Sequence, residues 1–101
     1  MPTVTRKKLE IIIEAPVLRR LEAIMTEEGV RGWSVFSSIE GAGASGEWRG
    51  DFTAATQKRL VIAVTNEAAA ERVLQRLLPF LEDYPGVVCV SDVQVLRPER
   101  F

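Results

Sequence analysis

Histidine is absent from this 101-residue chain, and cysteine occurs once, at Cys89. The first absence removes the commonest general base and the commonest metal ligand. The second leaves no partner for an internal disulfide and too few thiolates for a soft-metal site. Cys89 lies inside an apolar, strand-like run and reads as a small core residue. No apolar run approaches the ~18 residues that a membrane span requires. Met1-Pro2-Thr3-Val4-Thr5-Arg6-Lys7-Lys8 also lacks the apolar centre of a secretion signal. The expectation is a cytoplasmic protein. An excess of one charge is missing too. Thirteen basic residues face 14 acidic ones, a net charge of -1, which argues against a nucleic-acid partner.

What is present is an ordinary globular balance, 47% hydrophobic and 27% charged. The length predicts one domain, residues 1–101, without linkers, repeats or low-complexity segments. A domain of this size hides roughly two thirds of its unfolded surface, so oligomerisation would strengthen it.

Alternation predicts a strand over Lys8 to Ala15, with Leu9, Ile11 and Ile13 on one face. Pro16 suits the first turn of a helix. Val17, Leu18, Leu21, Ile24 and Met25 follow helical spacing, and Gly29 is a C-terminal stop. Trp33 to Ile39 is a second strand and Arg59 to Thr65 a third. Asn66 caps a second helix whose apolar stripe is Val73, Leu74, Leu77, Leu78 and Leu81. Pro79 should kink or end it. After the turn residues Asp83-Tyr84-Pro85-Gly86 comes a fourth strand, Val87 to Leu96, with a bulge expected near Ser91-Asp92, where the apolar alternation changes phase.

The order strand, helix, strand, strand, helix, strand is ferredoxin-like: an α+β sandwich with four antiparallel strands and both helices on one face. Val61, Ala63 and Ile12 lie opposite their apolar neighbours, and Val88 and Val90 alternate with Val87 and Cys89. Both sheet faces are therefore apolar, yet two helices cover one. A homo-oligomer with sheets packed inward follows.

Between the second and third strands runs Gly41-Ala42-Gly43-Ala44-Ser45-Gly46, opening a polar loop that reaches about Thr56. A long loop in so small a domain is unusual and is commonly functional or disordered. Its glycines let backbone N–H groups approach an anion closely. The string matches G-x-G-x-x-G, but a dinucleotide site needs a helix starting at the loop, and here a strand follows. Gly46 is followed by Glu47, where a phosphate loop of the Walker type has lysine. A protein-kinase glycine loop requires a far larger chain.

The chain resembles the PII signalling-protein superfamily along nearly its whole length. The likeness rests on Lys7-Lys8-Leu9-Glu10-Ile11-Ile12, Glu28-Gly29-Val30-Arg31-Gly32-Trp33-Ser34-Val35, the glycine loop, and Val90-Ser91-Asp92-Val93-Gln94-Val95-Leu96-Arg97. Glu82-Asp83-Tyr84-Pro85-Gly86-Val87-Val88 and the ending Arg97-Pro98-Glu99-Arg100-Phe101 look closest to the carboxysome-associated and bicarbonate-transporter-associated PII-like proteins. The resemblance implies a homotrimer binding adenine nucleotide in clefts between subunits. Gly41 and Gly43 would sit against the phosphates. The short loop ending at Gly86 would offer N–H groups from the neighbouring subunit, and Arg97 would pair with phosphate. Ser34 takes the position of a residue near the base and Ala63 that of a pocket wall. Ser45, Arg49, Val87 and Arg100 complete the candidate nucleotide-binding set.

Val87 stands where the family usually has a lysine, and Glu99 where it has a second arginine; Arg100 is only nearby. Lost positive charge weakens a triphosphate most, so AMP or ADP is expected over ATP. The loop lacks a tyrosine, so nucleotidylation there is not expected. The resemblance further implies bicarbonate as a second ligand and a carboxysome or transporter protein engaged through the 40–56 loop. It implies no catalytic residue, metal or obligatory cofactor.

Plainer readings stand beside these. Arg49, Arg97 and Arg100 also read as exposed charges, Ser34 as an ordinary strand residue, and Gly86 as a turn residue. Trp48 is either a partner anchor or folds back on its own domain. The alternatives at the level of function are a structural or metal-tolerance-type trimer without nucleotide, and a small enzyme using Glu40, Glu47 or Asp51.

Overall fold

The computed structural model describes residues 2–38, 41–43, 46–48 and 57–101. It contains strands β1 (Val4–Glu14), β2 (Ser34–Ser38), β3 (Gly41–Gly43), β4 (Gly46–Trp48), β5 (Lys58–Thr65) and β6 (Gly86–Val95), with helices α1 (Leu18–Glu27) and α2 (Glu67–Asp83). Short 3-10 turns occupy Ala15–Val17 and Pro98–Arg100. Four strands form one antiparallel sheet in the order β2-β5-β1-β6, the ferredoxin-like arrangement.

β1 lies at the centre of this sheet because its alternation is strict. Leu9, Ile11 and Ile13 are fully buried, paired across to β5 as Leu9↔Ala63 and Ile11↔Val61. Residues directly opposite in an antiparallel pair share a face, so Val61 and Ala63 join the layer under the helices. Leu21, Ile24 and Met25 of α1 and Ala69, Val73, Leu77 and Phe80 of α2 close the core. Full burial of one such aliphatic side chain stabilises by about 1.5–3 kcal/mol.

The helix ends follow local chemistry. At the end of α1, Gly29 adopts φ +93°, the Val30 N–H donates to the Met25 carbonyl at 2.9 Å, and the Gly29 N–H donates to the Thr26 carbonyl at 3.2 Å. This is a Schellman motif, and Met25 and Val30 supply its buried apolar contact. Asn66 Oδ1 accepts from the Ala69 N–H at 2.8 Å and caps α2. Arg72 and Arg76 of α2 pair with Glu27 and Glu28 at the end of α1, tying the helices together.

Several expectations are corrected. Of the two outcomes expected at Pro79, a kink or an end, α2 does not end there but runs on to Asp83. Proline has no N–H to give the Gln75 carbonyl, and both residues are exposed. Leu78 points outward, 71% exposed, while Phe80 takes the inward position. The β1–β6 register runs from Val4↔Val95 to Ile13↔Gly86 without a bulge. The apolar phase changes near Ser91 because polar pairs replace the core there. Lys7 Nζ donates to Asp92 Oδ1, and Gln94 Nε2 donates to Thr5 Oγ1 at 2.7 Å. Cys89 is exposed, since it faces away from the helices with its register partner Glu10. Finally, the glycine segment is not simply loop: β3 and β4 pair as a hairpin, Gly41↔Trp48 and Gly43↔Gly46.

The second sheet face carries Ile12, Leu60, Ile62 and Val64, half-buried, with Phe36 49% and Val87 53% exposed. Within one chain nothing from α1 or α2 covers it, because both helices pack on the Leu9 face.

Candidate functional site

The register assigns each candidate residue a place. Ile13↔Gly86, Glu14↔Lys58 and Ser38↔Lys58 mark one end of the sheet. The glycine hairpin follows β2 at this end, and Gly86 and Val87 open β6 here. They occupy opposite edges, because β2 and β6 are the outer strands. Across three strand spacings the edges are roughly 14 Å apart.

Gly86 passes close to its neighbours. A Cβ there would stand 2.8 Å from the Ile12 carbonyl oxygen, 3.1 Å from Ile13 Cγ2 and 3.2 Å from Leu81 Cδ2. The position therefore requires glycine because of the approach of β1 and α2. Its backbone does not need the left-handed region, which Gly29 and Gly46 do adopt.

Arg97 and Arg100 lie past the far end of β6, where Val95 pairs with Val4. Nine residue steps separate Gly86 from Val95, roughly 30 Å of extended strand. Ser34 begins β2 part-way along, exposed, in the row Ser34–Ile62–Glu10–Cys89. Ala63, the candidate pocket-wall residue, lies within β5. It is 2% exposed and turned into the core, because its register partner is Leu9. Ser45 and Arg49 lie outside the described residues, as do Glu40 and Asp51 and the side chain of Trp48. One chain thus brings Gly41, Gly43, Gly86 and Val87 to one end and Arg97 and Arg100 to the other.

The C-terminal turn has a distinctive backbone. Arg97 has φ 56° and ψ 57°, the one non-glycine positive φ among the described residues. It also precedes Pro98, whose ring steers the preceding residue toward extended backbone. The turn closes with the Arg100 N–H on the Arg97 carbonyl at 3.2 Å and the Phe101 N–H on the Pro98 carbonyl at 3.1 Å. Two distant arginines reach it. Arg31 Nη1 donates to the Glu99 carbonyl at 3.0 Å, and Arg6 Nη2 donates to the Pro98 carbonyl at 3.3 Å. Sequence reasoning missed both contacts. They join residues 68 and 92 positions apart, and no spacing rule signals that.

Among the described residues, two hollows lie elsewhere. A polar one of about 310 Å³ is lined by Thr5, Arg6, Lys7, Glu67 and Asp92. Its Lys7 is held above the usual ammonium range by the hydrogen bond to Asp92. An apolar groove of about 460 Å³ follows Leu74, Leu77, Leu78, Leu81 and Val88. Neither is lined by a candidate nucleotide residue. Among the described residues no group of three acidic or thiol side chains is placed to hold a metal ion, and no helix is long and apolar enough to cross a membrane.

A ferredoxin-like sandwich with a glycine hairpin between its second and third long strands, glycines at one end of the sheet and arginines past the other, defines a class of small regulatory proteins. The family model of nitrogen regulatory protein P-II matches residues 6–100, and the chain belongs to that family. Among solved structures it is similar to CPII, a nitrogen regulatory PII-like protein of Thiomonas intermedia K12 bound to ADP, AMP and bicarbonate. The identity is 31%, the TM-score is 0.91, and the match covers 99% of this chain and 96% of that one. A protein of Thermus thermophilus described as PII-like matches at 26% identity and TM-score 0.85, covering 100% and 99%. The GlnK–ATP complex of B. subtilis shares the fold at 13% identity, with TM-score 0.65 and 88% and 82% covered. A search of curated proteins gave no match.

Proposed function

We propose that this PII-like regulator is a single-domain, cytoplasmic homotrimer that binds ADP or AMP in the clefts between its subunits and has no catalytic activity. The likeness to CPII over nearly the full length carries the reading, since that protein was found with ADP, AMP and bicarbonate. The division of the site supports it. Residues roughly 30 Å apart on one strand cannot meet one phosphate chain, whereas the Gly86 end of one copy and the Arg97 end of another can. The half-exposed sheet face, with Phe36, Leu60 and Ile62, supplies an apolar surface for that assembly. Bicarbonate serves as second ligand and links the protein to inorganic carbon metabolism or transport. Nucleotide binding sets the conformation of the 40–56 loop, which then engages a carboxysome or transporter protein.

AMP and ADP are preferred over ATP. Val87 is exposed at the start of β6 and carries no charge. Glu99 is exposed beside Arg97 and opposes a further phosphate. Calorimetry with the three nucleotides, alongside native mass measurement, tests the reading. AMP and ADP binding a trimer more tightly than ATP is the expected result. ATP clearly tighter than both removes the preference, and a monomer removes the cleft.

A further inference from the structure

We propose that Arg31, assisted by Arg6, is a positioning residue for the nucleotide phosphates. It fixes the C-terminal turn so that Arg97 and Arg100 are set before ligand arrives. The proposal rests on the cleft reading given above.

Arg97 holds a left-handed backbone directly before a proline. A non-glycine residue persists in such a conformation only where its surroundings over-determine it. The turn's own two hydrogen bonds, at 3.1 and 3.2 Å, are long and close only a few residues. Further ties to the rest of the fold hold the turn. The ties are the two guanidinium groups, one on the Glu99 carbonyl and one on the Pro98 carbonyl. Adjacent carbonyls thus receive charge-assisted donors from opposite sides of the sequence, one from β1 and one from the segment joining α1 to β2.

The Arg31 tie has a firm base. Two residues on, Trp33 packs against the core and donates its indole N–H to Glu22 Oε2 at 3.0 Å. Arg31 therefore transmits the position of the helix layer to the turn. The bonds that Arg31 and Arg6 make here go to backbone carbonyls of the turn, so the role proposed for them is exerted through the turn. Fixing the turn in advance removes an ordering cost that phosphate binding would otherwise meet. Arg31 also stands three residues before Ser34, so the segment that carries the candidate base contact is fastened to the one that carries the candidate phosphate contacts.

The test has two arms on the intact trimer. In ligand-free protein, amide exchange at Arg100 and Phe101 is expected to be faster in Arg31→Ala than in the wild type, with Arg31→Lys in between. Because Arg31 is exposed, the fold tolerates the change, and Arg31→Gln serves as a second variant. In calorimetry, Arg31→Ala is expected to weaken ADP about tenfold, as for loss of one hydrogen bond to a charged group. Adenosine, which lacks phosphate, should bind as before. In an Arg97→Ala/Arg100→Ala background, Arg31→Ala should cost nothing further. Unchanged exchange, equal loss for adenosine, or a full additional loss in that background each overturns the proposal. Absence of ADP binding by the wild type overturns the cleft reading and the positioning role together, and the exchange arm then still shows whether the clamp exists.

Discussion

Trp33 is half-buried at the entry to β2, and its indole N–H reaches Glu22 Oε2 while Arg19 Nη1 donates to Glu22 Oε1 at 2.7 Å. The two donors, the indole foremost, hold the Glu22 carboxyl below its usual value of 4.5. A carboxylate whose folded value is depressed stabilises fully above its unfolded value, and that stabilisation is lost as pH falls through the folded one. The wild type should therefore lose stability progressively below about pH 5. Trp33→Phe keeps most of the ring contact and removes the leading donor. It should cost about 1–2 kcal/mol near neutral pH and show a shallower decline into acid, because less favourable interaction remains to lose. Urea unfolding at fixed protein concentration, at neutral pH and again near pH 3, measures both. An acid decline as steep as that of the wild type would show that the indole does not tune Glu22.

The elements owe their ends to a few side chains, and α1 shows it most directly. Gly29 stands at φ +93° with a Schellman pair of hydrogen bonds beside it. An alanine there is forced into a backbone region that costs about 1–2 kcal/mol, and its Cβ would stand 3.4 Å from Arg72 Nη2, ordinary contact. Gly29→Ala should thus lower stability by that backbone cost alone in urea unfolding, and Gly29→Asn, which tolerates the left-handed region, should recover part of it. Features of this local kind are legible in the sequence: the Asn66 cap, the Gly29 stop, the alternation of Leu9, Ile11 and Ile13. Features set by pairing partners are not. Val61 and Ala63 alternate with Leu60, Ile62 and Val64, and since both rows are apolar, only the register with β1 decides which meets the helices. Alternation alone separates the two rows without saying which of them is buried. The Ser91 phase change looks like a bulge because Asp92 and Gln94 answer to Lys7 and Thr5, more than 80 residues away. The three-residue strands β3 and β4 are too short to show any period. Pro79 does not stop α2, because the Leu77 and Phe80 contacts on either side of it hold the chain against the core.

At the scale of the whole molecule, the proposed cleft asks two ends of one sheet to serve one ligand. Gly86 and Val87 open β6 and Arg97 follows its other end, so a closed ring of copies in which each site borrows one end from each neighbour is the economical solution. Mixed trimers test this. Val87→Asp places a negative charge at the exposed start of β6, and Arg97→Ala removes the arginine from the turn; trimers built wholly from either variant should bind ADP weakly. In trimers reassembled from an equal mixture, some clefts pair an intact Gly86 end from one chain with an intact Arg97 end from the other. Random assembly restores about a quarter of the clefts, to be read as calorimetric stoichiometry at near wild-type affinity. If every site were built within one chain, no mixture of the two variants would regain a tight site, because each chain keeps its own defect. Recovery of that fraction would establish that the ligand is shared, and its absence in trimers of confirmed mixed mass would overturn the shared cleft.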